Sequence, residues 1–324
     1  SARKRGVSPQ LITLSAVIGG VNSFDRWLGC DLLSTDKRPV PLVEGTMDRS
    51  GIWQFLTPAG VEQSAQLLDR RAIQQRKAKP GPQDMIVPLV KHLVEKGEKI
   101  IVFRNNRGSA AGCAEYLADA LGLLPAAAAI DALPVVDQSS LSPRLRKALE
   151  GGVAFHHSDL NREERVVVEQ AFRNVDSGVH VLVATSTVAA GINTPASTVI
   201  VVETAFRGAE GETPYTVAQY KNMAGRAGRL GYETEGKAIL LADTGMERNA
   251  HYRRYVKGTP EQVTSSFNDR NPGTWLMKLL AQVKEVPRAA VVDLFINTYG
   301  GYLATLADPT WRGRMSVALE DWLS

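Results

Sequence analysis

The sequence predicts an α/β chain: a parallel sheet flanked by helices, followed by a small helical domain. Three observations carry this. From Asp84 to about residue 245, β-branched runs alternate with amphipathic stretches of helical period, the pattern of parallel strands joined by right-handed crossovers. After Thr244 the β-branched runs stop, and two amphipathic helical stretches follow. The chain has 324 residues with 44% hydrophobic and 22% charged content, enough for two buried cores.

In chain order, Gln10–Val17 is a short apolar run expected to form a buried strand. Ser23–Leu28 reads as a short helix ending at Gly29. Pro39–Gly45 is extended, and Gly51–Leu56 is placed to pair with it as a hairpin. Val61–Pro82 is polar and basic and closes on Pro80-Gly-Pro82, a boundary signal. Helices are then expected at Met85–Glu95, Ser109–Leu121, Leu141–Glu150 and Asn161–Val175, and strands at Lys99–Phe103, Val153–His157, Val179–Thr185, Thr198–Glu203 and Lys237–Leu241. Asn161 with Glu164 three residues on has capping-box spacing. Tyr215–Met223 reads as a helix with Pro214 at its start, and Trp275–Val283 and Ala289–Tyr299 as the terminal helices.

Thirty-eight Lys and Arg face 34 Asp and Glu, a net charge of +4 that permits a polyanionic partner without requiring one. Cys30 and Cys113 are isolated, so no disulfide framework or zinc pattern is indicated, and a reducing, cytoplasmic (or nucleoid, or nuclear) setting fits. No membrane-spanning run or signal-peptide pattern occurs. The chain opens on Ser1-Ala-Arg-Lys-Arg5 rather than Met, as a processed or excised piece does.

Chemistry concentrates in Asn222-Met-Ala-Gly-Arg-Ala-Gly-Arg-Leu-Gly231. Arg226 and Arg229 each follow a glycine at the end of a helix, so a glycine-permissive turn is expected to project both guanidiniums. Planar guanidinium forks suit the spread charge of a phosphoryl group in transfer. Upstream, three strands run into polar segments: Arg104-Asn105-Asn106-Arg107, His156-His157-Ser158-Asp159, and Thr185-Ser-Thr187 leading to Pro195. Ligands of open parallel sheets bind beyond the carboxyl ends of the strands. These segments are therefore expected to form one rim, with the paired-arginine motif as one wall of the same cleft.

In this order the segments resemble motifs IV, IVa, V and VI of superfamily 2 DExH-box helicases, in the Ski-like branch of archaeal repair helicases and exosome RNA helicases. Leu14-Ser-Ala-Val17 followed by Phe24–Gly29 resembles motif III and the helix closing a first RecA-like domain. The resemblance implies four segments: residues 1–30 as the end of that domain, 31–83 as an extended inter-domain linker, 84–245 as a second RecA-like domain, and 246–324 as the start of a winged-helix domain. It further implies that Arg226 and Arg229 face the γ-phosphate of ATP, with Gly191 and Asn193 near the nucleotide. Thr185 and Thr187, with Arg104, Asn105, Asn106 and His157, would contact or support the backbone of single-stranded DNA or RNA.

Three positions depart from the pattern. Motif III ends in Val17 where Thr is usual, motif VI opens on Asn222 where Gln is usual, and no Asp-Glu dipeptide occurs to hold Mg²⁺. Gly231-Tyr-Glu-Thr-Glu-Gly-Lys237-Ala238 imitates a phosphate loop but ends in Ala and precedes a strand, where a phosphate loop must follow one. The expectation is therefore part of an ATP-dependent helicase, supplying arginine fingers and half of the nucleic-acid track. A missing N-terminal RecA-like domain would hold the Mg²⁺ ligands, and this chain alone would not turn over ATP. The alternative is a catalytically inactive, helicase-derived module that binds nucleic acid or protein.

Overall fold

The computed structural model describes residues 12–14, 19–35, 37–134, 142–186, 196–208, 211–228, 231, 233–266, 272–281 and 287–323. They fall into two compact units, Asp36–Pro260, and Ser1–Thr35 with Glu261–Ser324. In chain order the elements are α1 (Phe24–Leu28), β1 (Leu42–Met47), β2 (Ile52–Leu56), β3 (Glu62–Gln66), α2 (Gln83–Val94), β4 (Ile100–Arg104), α3 (Arg107–Leu121), α4 (Ala127–Ala132), α5 (Ser142–Glu150), β5 (Val153–His156) and α6 (Arg162–Arg173). They continue as β6 (Val181–Thr185), β7 (Thr198–Val201), β8 (Ala205–Gly208), β9 (Gly211–Pro214), α7 (Val217–Ala224), β10 (Gly236–Leu241), α8 (Gly245–His251), α9 (Pro272–Leu280), α10 (Arg288–Ile296), α11 (Tyr299–Ala307) and α12 (Trp311–Leu323).

The larger unit is built on one sheet of order β3-β2-β1-β10-β7-β4-β6-β5, parallel from β1 to β5 and antiparallel at the β1–β2–β3 edge. The central strands are buried on both faces, with Ile100, Val102, Val183, Ile200 and Ile239 at 2% exposure or less. That is why their sequences read as continuous β-branched runs rather than alternations. α3 packs on β5 and β6, and α7 on β7 and β10. The predicted α/β architecture is the observed one, with a helical C-terminal region.

Several boundaries differ for local physical reasons. The stretch read as an extended linker supplies β1, β2 and β3, of which β1 is a paired, mostly buried strand beside β10. β3 is exposed along its whole length, so it has no apolar alternation to betray it. α7 does not begin at Pro214, which ends β9; Thr216 caps it instead. Gln219 N–H donates to Thr216 Oγ1 at 3.1 Å, and Thr216 N–H to Gln219 Oε1 at 2.8 Å. The apolar run Gln10–Val17 forms no strand where it is described: residues 12–14 are irregular, with Ile12 69% and Leu14 93% exposed. An apolar run becomes a strand only where a neighbour accepts its backbone bonds. Met246–Val256, read as the start of the tail, continues the larger unit as α8 and a π-helical turn, Tyr252–Val256.

The capping box at Asn161 is present as read. Glu164 N–H donates to Asn161 Oδ1 at 2.9 Å, and Asn161 N–H to Glu164 Oε2 at 2.8 Å. Asn161→Ala is expected to cost about 1 kcal/mol in urea unfolding, because two helix-end donors lose their reciprocal arrangement. An unchanged midpoint would show that water replaces the cap.

In the smaller unit, α1 packs on the start of α11. Phe24 meets Tyr299 edge-on at 4.9 Å, and Trp27 Nε1 donates to the Asn297 carbonyl at 3.0 Å. Residues 19–20 are joined by backbone bonding to residues 261–263. Leu276, Phe295, Trp311 and Leu319 centre a separate helical core. No described helix is long and apolar enough to cross a membrane.

Candidate nucleotide and nucleic-acid site

The carboxyl edge of the sheet gathers one set of the predicted residues. Arg104 ends β4 and is in register with Thr185 at the end of β6, while His156 of β5 is in register with Ala184. Thr185, at 6%, and His157, at 2%, are both buried. His157 stacks on Phe155 at 5.2 Å, and its Nδ1 accepts the Asp159 N–H at 3.3 Å. Burial lowers the His157 pKa, with the Asp159 charge opposing it, so the ring is a neutral prop near pH 7. His156 Nε2 lies 3.2 Å from Glu169 Oε1.

Arg104 does not present its charge outward. Its Nε and Nη2 reach Glu203 Oε1 at 2.9 and 2.8 Å, while Glu203 Oε2 accepts the Asn105 N–H at 3.1 Å. Desolvation pulls the guanidinium pKa down, but the charge of Glu203 and its hydrogen bond outweigh it and leave it raised. Asn106 caps α3, accepting the Ser109 N–H at 2.8 Å, and donates from Nδ2 to Asn105 Oδ1 at 2.9 Å. Beyond this turn lies a cavity of about 490 Å³, lined by Asn105, Asn106, Glu203, Arg207, Glu212, Asp243 and Glu247 among others. Its cations are already matched: Arg104 by Glu203, and Arg207 by Glu212 at 3.1 Å. The cavity thus lacks the surplus positive charge that a phosphate demands. The edge itself carries the polar groups that suit a backbone.

Arg226 sits at the opposite edge. Ala196 lies two residues before β7, and its N–H donates to the Arg226 carbonyl at 3.0 Å; its own carbonyl accepts the Gly228 N–H at 2.7 Å. The helix α7 ends in hydrogen-bonded turns, with Arg226 N–H on the Met223 carbonyl and Ala227 N–H on the Ala224 carbonyl. Gly228 has φ +96°, and a Cβ there would meet Val40 Cγ1 at 2.8 Å, so glycine is required twice over. Arg226 is half-buried, and desolvation lowers its pKa, yet a guanidinium stays charged at any physiological pH. A permanent, partly desolvated cation on a backbone specified at every residue is a donor of the right kind for ATP phosphate oxygens.

The expected single cleft is therefore corrected. Arg104, Thr185 and His157 meet at the carboxyl ends of the strands, whereas Arg226 lies at the amino ends, and β6 with its 5 residues sets the edges roughly 15 Å apart. The reason is topological: the motif's helix returns from the carboxyl edge of β7 to the amino edge of β10, carrying the arginine with it. Residues 187–195, with Thr187, Gly191 and Asn193, join the two edges along the chain. They lie outside the described residues, as does Arg229.

Residue-by-residue reading missed Glu203, the partner of Arg104, although its place at the end of a buried strand marks it. It also missed Arg38, which reaches the arginine loop from a remote position, and the pair of Glu44 with Lys221 of α7. Lys221 Nζ donates to Glu44 Oε2 at 2.5 Å and to the Val256 carbonyl at 2.7 Å. The β8–β9 hairpin between β7 and α7 was missed too, because β9 is exposed throughout.

Residues 84–231 match the helicase conserved C-terminal domain. The match begins in α2 and ends just beyond the arginine loop, so both edges of the site lie within it. Among full-length relatives, the chain is 36% identical over 306 residues to the ATP-dependent DNA helicase Hel308 of Pyrobaculum calidifontis, covering 92% of this chain and 40% of that protein. It is 31% identical over 319 residues to Hel308 of Caldivirga maquilingensis, covering 94% and 39%. Against Hel308 of Pyrococcus horikoshii it is 33% identical over 262 residues, covering 81% and 34%. The likeness runs well past residues 84–231 in both directions, while the chain spans 34–40% of the length of these relatives.

Proposed function

We propose that this chain is the C-terminal part of a RecA-like pair in an ATP-dependent DNA helicase of superfamily 2, Ski-like branch. One observation carries the reading: Arg226 is held on a fully hydrogen-bonded glycine loop at one sheet edge, while Thr185 and His157 stand at the other. A translocase needs that separation. Nucleotide and strand must occupy different faces of one rigid body, so that closure around one alters the grip on the other.

When bound, ATP supplies the phosphoanhydride whose cleavage drives the cycle. Arg226, with Arg229, neutralises charge on the terminal phosphate from this side, and Gly191 and Asn193 lie near the nucleotide. A preceding RecA-like domain supplies the phosphate loop and the Mg²⁺ ligands, so this chain alone hydrolyses no ATP. Thr185 and Thr187 hold phosphates of a single DNA strand, while Arg104, Asn105, Asn106 and His157 brace the turns around them. Such contacts read the backbone and leave base sequence largely unread. DNA is favoured over RNA because the relatives above are named DNA helicases. The inactive-module reading is not favoured, since the likeness to those helicases covers 92% of the chain and the motif's Arg226 is present. The corresponding setting is the cytoplasm, with the nucleoid or a nucleus as alternatives.

The test is ATP hydrolysis by the full-length polypeptide carrying this chain, with and without single-stranded DNA. Stimulation by the strand is expected, and Thr185→Val is expected to weaken strand affinity by about 5- to 10-fold, the worth of one phosphate hydrogen bond. KM for ATP without DNA should not move. Hydrolysis indifferent to any strand would sink the helicase reading; wild-type affinity in Thr185→Val would remove that residue from the track.

A further inference from the structure

Residues 38–41 form a strap across the loop that carries Arg226. Arg38 Nη2 donates to the Gly225 carbonyl at 3.3 Å and the Ala227 carbonyl at 3.1 Å, the residues on either side of Arg226. Its Nε donates to the Val40 carbonyl at 3.4 Å, which ties the guanidinium to its own strap. Val40 is 5% exposed and fills the space beside Gly228. The Pro41 carbonyl accepts the Gly236 N–H at 2.8 Å, and a Cβ on Gly236 would fall 2.5 Å from Gly228 N. Three successive carbonyls of the loop are thus taken: Gly225 and Ala227 by Arg38, Arg226 by Ala196. Arg38 lies 187 residues before Gly225 and touches nothing in the loop except its backbone carbonyls among these hydrogen bonds.

We propose that Arg38 is a positioning residue for Arg226: its guanidinium holds the carbonyls on both sides of the finger and fixes the backbone from which that side chain springs. The proposal rests on the finger reading above. Stabilisation of developing charge needs a donor placed before the reaction, and a shift of about 1 Å can cost roughly 100-fold. One nitrogen, Nη2, holds both loop carbonyls while Nε holds the strap's own Val40 carbonyl; a single ammonium has no second, rigidly linked nitrogen to hold loop and strap together. Burial lowers the Arg38 pKa, and the charge of Glu44 partly offsets it.

The experiment is a double-mutant cycle on kcat for ATP hydrolysis in the full-length polypeptide, with thermal unfolding as the folding control. Arg38→Ala is expected to lower kcat about 10- to 100-fold with KM for ATP within about 2-fold, and Arg38→Lys to fall between. Arg38→Ala combined with Arg226→Ala should be no slower than Arg226→Ala alone, because Arg38 acts through the finger. A wild-type kcat for Arg38→Ala beside an inactive Arg226→Ala overturns the proposal and spares the finger. So does a double variant slower than Arg226→Ala by the full factor of Arg38→Ala. Wild-type kcat in Arg226→Ala overturns both. Amide exchange of Gly225 to Gly228 gives a second readout: these protons should exchange faster in Arg38→Ala, and unchanged protection would defeat the clamp.

Discussion

Arg226→Ala in the full-length polypeptide is expected to lower kcat for ATP hydrolysis by about 10³-fold or more, with KM for ATP nearly unchanged. The loop carrying Arg226 owes its shape to backbone bonds with Ala196, Met223 and Ala224, and to glycine at 228, none of which the substitution touches. The substitution removes the charge, which matters most where negative charge develops in the transition state. Arg226→Lys should recover little, because an ammonium cannot present two parallel donors to phosphate oxygens. Arg229→Ala is expected to act in the same direction. If Arg226→Ala instead raised KM with kcat intact, Arg226 would be a ground-state anchor and not a finger.

The second large effect lies in stability and carries a pH signature. Lys221 is only 20% exposed in its side chain and Glu44 14%, so Lys221→Met strands a largely buried carboxylate. Breaking a buried pair costs about 3–5 kcal/mol; partial solvation of both groups argues for roughly 2–3 here. Burial raises the Glu44 pKa, while the charge and hydrogen bond of Lys221, then Arg38, pull it down. Its folded value thus lies above its unfolded one, so the fold holds the proton more tightly than the unfolded chain. Stability from this group is fully present below the unfolded pKa and is lost as pH rises through the folded pKa.

Without Lys221 the folded pKa climbs further and the loss deepens. The stability deficit of Lys221→Met in urea unfolding should therefore be small near about pH 4 and largest near about pH 8. Adding Glu44→Gln should recover much of it. A deficit of equal size at both pH values would show that Lys221 acts by packing on the Val256 carbonyl and neighbouring side chains, not by charge.

Much of the larger unit was legible because its elements announce themselves locally. β4, β6 and β7 are buried on both faces and so consist largely of β-branched and other apolar residues, and β10 closes on the buried apolar run Ala238–Leu241. α6 is capped by a spacing visible in its first four residues. β3 and β9 are exposed throughout and carry no such signature. Pro214 suggested a helix start, but Thr216 and Gln219 offered the backbone a better one. In the candidate site, residue types and order are what put Arg226, Thr185 and His157 forward, since chemistry selects side chains. Their placement was misjudged, since a motif list has no sense of which sheet edge each loop returns to.

What the sequence by itself determined is the alternation that makes a parallel sheet, the caps of α6, and the arginine motif on its glycine turn. These depend on residues within a few positions of each other, where periodicity and turn chemistry act. Only the tertiary structure decided that Arg226 and Thr185 occupy opposite edges, that Arg104 pairs with Glu203, and that Arg38, 187 residues before Gly225, bonds the loop carrying Arg226. Pairings of that kind are settled by strand order and burial, which set distant charges and carbonyls side by side and leave each local stretch of sequence unchanged.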